Sequence, residues 1–187
     1  MSQNLRRYVQ ALYTLDAVTR RVPADAWDQQ SCCGDWTARE VAGHASLVIG
    51  NVGAMTGNMA APEAKPEAEL AGDDPASVLA SAVANTIAAL DHQGALNAVT
   101  ATPFGEMSID SFLGTIWIDP LTHAWDIADA TGGAHGIDDD TADAAYAALE
   151  PLSEALRAPG RFNDVIEDDS SPVARFVGFT GRASVQG

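Results

Sequence analysis

Along most of the chain the apolar positions step by three and four, the period of helices that bury one face. From Asn4 to Arg21, Leu5, Tyr8, Val9, Leu12, Leu15 and Val18 form such a stripe, which Arg20-Arg21-Val22-Pro23 closes. Residues 24–36 read as a connector that its Trp27, Cys32, Cys33 and Trp36 pack down. Thr37-Ala38-Arg39-Glu40 has the form of a capping box and opens a second helix, with Val41, Ala45, Val48, Ile49, Val52 and Met55 on one face and His44 among them. Residues 60–74, rich in Pro, Glu, Ala and Gly, predict an exposed linker. Asp74-Pro75 starts a third helix that carries Val78, Leu79, Val83, Ile87 and Leu90 and fades at Gly94. A stretch of Thr, Val and Pro (98–104) leads to a fourth. There Ile109, Phe112, Leu113, Ile116, Trp117, Leu121, Ala124, Ile127 and Ala128 keep phase up to the stop Thr131-Gly132-Gly133. A fifth begins in Asp138-Asp139-Asp140 and carries Ala145, Leu149, Leu152 and Leu156 towards Pro159-Gly160, and Ser171-Pro172 opens a short last one through Phe179. Strand signals are scarce. The pattern predicts an all-α four-helix bundle with a short C-terminal helical appendage: one domain over 1–187, its core about 4–158 and its tail 159–187.

Composition narrows the functions open to such a bundle. The chain has 187 residues, 47% of them hydrophobic, enough to fill a core. The net charge of −16 opposes a nucleic acid or an anionic membrane surface as partner, and the 10 basic residues are scattered. No apolar run is long enough to span a bilayer, and Met1-Ser2-Gln3-Asn4-Leu5-Arg6-Arg7 lacks the apolar block of a secretory signal, so a cytoplasmic protein is expected. Cys32 and Cys33 are adjacent, a spacing that disfavours a disulfide, and no Lys, Arg or His lies nearby in sequence to activate either thiol. Thirty-five alanines, and nine arginines against the single Lys65, match the bias of a GC-rich bacterial genome.

Asp119-Pro120-Leu121-Thr122-His123 places an acid and an imidazole four residues apart, one above the other on a helix, where both reach a single cation. His44 would add a third ligand from the facing helix. Two imidazoles and a carboxylate leave coordination positions open, as catalytic sites do. Asp126 falls on the same stripe as His123, and it and Glu40 are the candidates to steady the ligands by hydrogen bonding. Each residue also has a plainer role. Asp-Pro is a common helix start, which would make Asp119 a cap; the unbroken apolar phase across Pro120 favours instead one helix with a proline kink. His44 alone would be an ordinary core histidine, and His92 and His135 read as surface residues.

Two longer segments carry a resemblance. Cys33-Gly34-Asp35-Trp36-Thr37 running on to His44, and Asp119-Pro-Leu-Thr-His-Ala-Trp-Asp-Ile-Ala-Asp-Ala-Thr-Gly132, resemble the two metal-binding motifs of the DinB/mycothiol-dependent maleylpyruvate isomerase superfamily. Phe176-Val177-Gly178-Phe179-Thr180-Gly181-Arg182 is similar to the ending of its small actinobacterial branch. The resemblance implies His44, Asp119 and His123 as ligands of a divalent metal, Zn²⁺ first and Ni²⁺ or Fe²⁺ as alternatives. It implies as well a low-molecular-weight thiol cosubstrate, of which mycothiol fits best and bacillithiol and glutathione occur in relatives. A counterpart of the isomerase's second domain is not expected here. The expectation is therefore an S-transferase-like or isomerase-type enzyme acting on a small electrophile, with the cosubstrate and not Cys32 or Cys33 bringing the sulfur. Two other classes stay open: a non-catalytic metal-binding or stress-associated protein, and a thiol-independent Lewis-acid hydrolase or cyclase. Ile118 and Trp125, on the otherwise polar side of the fourth helix, suggest a homodimer surface unless the tail covers them.

Overall fold

A computed structural model describes residues 1–157 and 162–186. Helix α1 (Gln3–Thr19) starts at Ser2, whose side chain accepts from the Leu5 N–H, and buries Leu5, Tyr8, Leu12, Leu15 and Val18 as their spacing predicts. Helix α2 (Ala38–Ala54) has both halves of the capping box, with Thr37 accepting from the Glu40 N–H and Glu40 accepting from the Thr37 N–H at 2.8 Å. Helix α3 (Glu67–Ala71) is short. Helix α4 (Pro75–Leu90) is capped by Asp74, which accepts from the Ser77 N–H. Strands β1 (Val99–Thr102) and β2 (Gly105–Ser108) pair antiparallel, and α5 (Ile109–Ile116) and α6 (Ile118–Thr131) follow. Then come α7 (Asp139–Leu149), α8 (Ser153–Arg157) and α9 (Pro172–Phe179).

The long helices close around one apolar core. Helix α1 packs on α4, α5 and α6, and α2 packs on α4 and α6, while α9 packs on α7. Leu12, Leu15, Val41, Leu79, Ile109, Leu113 and Ile127 are essentially inaccessible there. At roughly 1.5–3 kcal/mol for each large apolar side chain, that burial is the main favourable term holding the helices together. The architecture is mostly helical, as the periodicity predicts.

Four expectations need correcting. Residues 60–74 are not simply an exposed linker, because α3 lies against α2 and buries Ala71. Gly43 makes this approach feasible: a Cβ there would stand 2.0 Å from the Glu67 carbonyl oxygen. The stretch 98–104 is part of a hairpin, which short alternating strands with little burial did not announce. The fourth helix is two, broken at Trp117, which still holds right-handed backbone (φ −59°, ψ −19°). Pro120 has no N–H for the Ile116 carbonyl, so the interruption falls just upstream of the proline, and Asp119 sits in the first turn of α6 without capping it. The fifth helix breaks in the same manner near Pro151, where a 3₁₀ turn (Glu150–Leu152) separates α7 from α8. Pro159 and Gly160, its expected end, lie outside the described residues.

Side-chain placement corrects two more. Ile118 is buried, at 4% exposure, and Trp125 is half-buried, so the two do not stand exposed together on a polar helix side. His135 is half-buried, and its Nδ1 accepts from the Ile137 N–H at 3.1 Å. No helix among the described residues is long and apolar enough to cross a membrane.

Candidate metal centre

Helix α6 supplies most of the site. Asp119, His123 and Asp126 lie on one side of it because four and then three residues each return close to one turn. His123 is buried at 5% exposure, and its two ring nitrogens meet different carboxylates. Nδ1 lies 2.9 Å from Asp126 Oδ2, while Nε2 faces Asp119 Oδ1 at 3.7 Å, too long for a hydrogen bond. Across the core, α2 presents His44, whose ring centroid lies 5.3 Å from that of His123, edge to face. Trp36 backs the His44 ring at 4.8 Å.

Asp126 is the hub of a buried network. Its Oδ1 accepts from Arg182 Nε at 2.6 Å and from the Cys32 thiol at 3.2 Å, and its Oδ2 accepts from Arg182 Nη2 at 3.1 Å as well as from His123. Burial alone would favour the neutral acid, yet Arg182 and His123 together hold the Asp126 carboxyl down to about 2. Burial likewise works against a charge on His123, but Asp119 and then Asp126 outweigh it and raise its pKa above the ordinary value. His44 moves the other way, lowered first by burial and then by the His123 charge, and so offers a free lone pair near neutral pH. Burial pushes the Cys33 thiol up to about 11, and burial with the Asp126 charge pushes Cys32 up too, so both stay protonated near neutral pH.

The sequence-predicted residues are thus partly gathered. His44 and Asp119 each lie beside the His123 ring, Asp126 hydrogen-bonds it, and Glu40 does not join them because its carboxylate is taken by the Thr37 cap. Three residues were missed. Arg182 and the two cysteines reach the site from the tail and from the connector, and nothing in local spacing points there. Among the described residues, the donor atoms that gather closely enough to hold a metal ion are those of Cys33, His123 and Asp126, one each within 4.8 Å of one another, a set that shares only His123 with the expected triad. Asp119 faces the other ring nitrogen, Nε2. Asp126 already accepts four hydrogen bonds, whereas Asp119 accepts none from His123, so the Nε2 side has the freer donors. A groove of about 590 Å³ lies elsewhere, between α1 and α4, lined by Leu5, Val9, Tyr13, Val83 and Ile87 and by no residue of the site.

The sequence model of the mycothiol maleylpyruvate isomerase N-terminal domain matches residues 9–128, a span that includes His44, Asp119, His123 and Asp126. The chain belongs to this family. Two curated relatives, uncharacterized proteins of Mycobacterium tuberculosis strains CDC 1551 and H37Rv, are each 33% identical over 172 residues, covering 89% of this chain and 90% of their own. Their actinobacterial source agrees with the GC-rich composition. No solved structure gives a significant match. Arg182 lies well beyond the span matched to the mycothiol maleylpyruvate isomerase N-terminal family.

Proposed function

We propose that the protein is a metal-dependent thiol transferase-like enzyme, built on a DinB-like four-helix bundle, that joins a low-molecular-weight thiol, mycothiol in the first instance, to a small electrophile. One observation carries the reading: His123 Nε2 faces Asp119 beside the edge-on His44 ring, while Nδ1 is held by Asp126. The donor set fits a borderline divalent ion such as Zn²⁺, with Ni²⁺ and Fe²⁺ as alternatives, because two nitrogens and one carboxylate oxygen leave coordination positions for substrate. When bound, such an ion would supply Lewis acidity, lowering the pKa of a coordinated thiol so that the sulfur is nucleophilic near neutral pH.

The chain's own residues do the rest. Asp126 accepts a hydrogen bond from His123 Nδ1–H and so turns the Nε2 lone pair of the neutral ring towards Asp119. His44, neutral near pH 7, donates its lone pair without first losing a proton. Trp36 packs at a tilt against His44, ring centroids 4.8 Å apart, and limits the freedom of that ring. Cys32 and Cys33, protonated and half-buried, are poor nucleophiles, which leaves the sulfur to the cosubstrate.

A second reading, a protein that holds metal without turnover, draws on Cys33, which stands within 4.8 Å of the His123 and Asp126 donors and would close the shell as a fourth protein ligand. Elemental analysis of the purified protein beside His123→Ala, followed by titration of mycothiol into the loaded form, separates these. One equivalent of metal in the wild type, lost in the variant, with a thiol that binds the loaded form, supports the transferase. A loaded protein that excludes thiols, and admits them once Cys33 is replaced by Ser, supports the second reading. A wild type that takes up no metal refutes both.

A further inference from the structure

Arg182 lies on the segment that follows α9, far in sequence from the helices that carry His44 and His123. It is nonetheless one of the most enclosed charged groups of the molecule, its side chain 11% exposed and set against the fully buried Asp126. The local backbone aims it there. Thr180 and Gly181 end α9 through N–H bonds to carbonyls of its last turn, and Gly181 adopts φ +76°, a left-handed conformation that glycine accepts and other residues resist. A Cβ at this position would also meet the backbone of Asn163 at 2.7 Å, so the turn is closed to side chains on both counts. The chain then runs back along α6, where Ser184 Oγ donates to Asp129 Oδ1 at 2.6 Å and the Val185 N–H to Asp129 Oδ2 at 2.8 Å. The tail is thereby tied to the same helix one turn beyond Asp126.

The contact between Arg182 and Asp126 is a fork. Nε and Nη2 engage Oδ1 and Oδ2 respectively, the bidentate geometry that fixes the plane of a carboxylate as well as its position. With that plane fixed, Oδ2 is left pointing at His123 Nδ1, 2.9 Å away. A carboxylate oxygen can only accept, so the neutral ring must carry its proton on Nδ1 and its lone pair on Nε2.

We propose that Arg182, delivered by the C-terminal tail, is a positioning residue for the metal centre: by clamping Asp126 it sets the His123 tautomer and ring angle that turn Nε2 towards Asp119 and His44. The inference rests on the metal reading given above for its consequence, but its structural core, the tautomer, stands in the metal-free protein. The tail is then part of the site although it lies outside the family's matched span.

The experiment uses the full-length chain. The ¹⁵N shifts of the His123 imidazole are recorded in the metal-free wild type, Arg182→Met and Arg182→Lys with the ring neutral, and Zn²⁺ affinity is measured on each by competition with a chromophoric chelator. The wild type is expected to show the Nδ1–H tautomer. Arg182→Met is expected to mix the tautomers and to weaken zinc binding by about ten- to a hundredfold, the usual cost of losing an outer partner of a ligand histidine. Arg182→Lys, which keeps the charge and loses the fork, should fall between. An Nε2–H tautomer in the wild type overturns the proposal. So does a folded Arg182→Met with wild-type shifts and wild-type affinity. Should Arg182→Met fail to fold, the wild-type tautomer and the Lys variant decide. Should the wild type bind no zinc, the metal reading falls alone, and the shifts still test the clamp.

Discussion

Asp119 and Asp126 stand two turns apart on α6 and flank the same His123 ring, but their surroundings differ at every point. Asp126 is fully buried and accepts from Arg182 twice, from His123 and from Cys32. Asp119 keeps 28% of its side chain exposed, stands 3.7 Å from the ring nitrogen it faces, and lies near the Tyr8 phenol, whose buried OH finds no partner among the described residues. A carboxylate with every lone pair used holds other groups in place, while one left short of donors has capacity for a cation. The contrast thus divides the labour on a single helix: one acid orients the imidazole and the other is left to bind with it.

The division predicts opposite responses to the same change. Asp126→Ala strands the Arg182 guanidinium in a buried site, and losing one partner of such a pair costs about 3–5 kcal/mol. Denaturant unfolding of the metal-free protein should show that loss as a lowered midpoint with little change in slope. Asp119→Ala should cost under about 1 kcal/mol in the same experiment, chiefly the favourable place of an acid in the first turn of α6, and should abolish stoichiometric zinc binding. Equal stabilities for the two variants would erase the comparison.

The wall behind the open side is the next lever. Gly43 precedes His44 and admits the Glu67 backbone of α3. Gly43→Ala must push α3 away or distort α2, an overpacking cost of about 1–3 kcal/mol. Thermal unfolding should register it. The His123 ¹⁵N shifts should not move, since the Asp126 side lies against the tail and not against α3. A changed His123 spectrum would mean that the two sides are mechanically coupled.

How far the sequence foretold this arrangement depends on the range of the interaction concerned. The caps at Thr37, Asp74, Asp138 and Ser171 and the apolar stripes are local, and all are legible from residues three or four apart. The 119–123–126 spacing is local too, and helical periodicity by itself puts the acid, the imidazole and the second acid on one helix face. Arg182 was not legible as a site residue, because its partner lies 56 positions away and its direction depends on the Gly181 turn. The same holds for Cys32, which meets Asp126 across 94 positions, and for α3, which depends on a glycine in another helix. Ile118 misled because a helical wheel assigns faces relative to one neighbour, and this helix is covered on more than one side.

Acid titration sharpens the contrast further. Despite burial, Asp126 is held at about 2, below its ordinary 3.8, so the carboxylate form is favoured in the folded state. Stability from this group is fully present above the unfolded value and is lost as pH falls through roughly 4 towards 2, up to about 2 kcal/mol in all. Unfolding free energies measured between pH 5 and 2 should show that fall, and Asp126→Asn should remove this part of it. An unchanged acid limb in Asp126→Asn would assign the loss to other carboxylates.

The smallest expected effect tests why the open side was left incomplete. Tyr8 is 1% exposed, and burial, then the Asp119 charge, raise its pKa, so the phenol is protonated throughout the working range. An unpaired buried hydroxyl carries a desolvation cost of about 1–3 kcal/mol that its removal relieves, offset by a small loss of packing. Tyr8→Phe should therefore leave the metal-free protein within about 0.5 kcal/mol of wild type or make it slightly more stable. If the hydroxyl gains an acceptor when a thiol and a metal enter beside Asp119, the loaded variant should instead be the less stable of the two. Paired melting curves of wild type and Tyr8→Phe, metal-free and with zinc and mycothiol, give that change of sign directly. A variant that is destabilised equally in both states would show that the phenol already has its partner in the metal-free protein, and the open side would then be less open than Asp119 makes it.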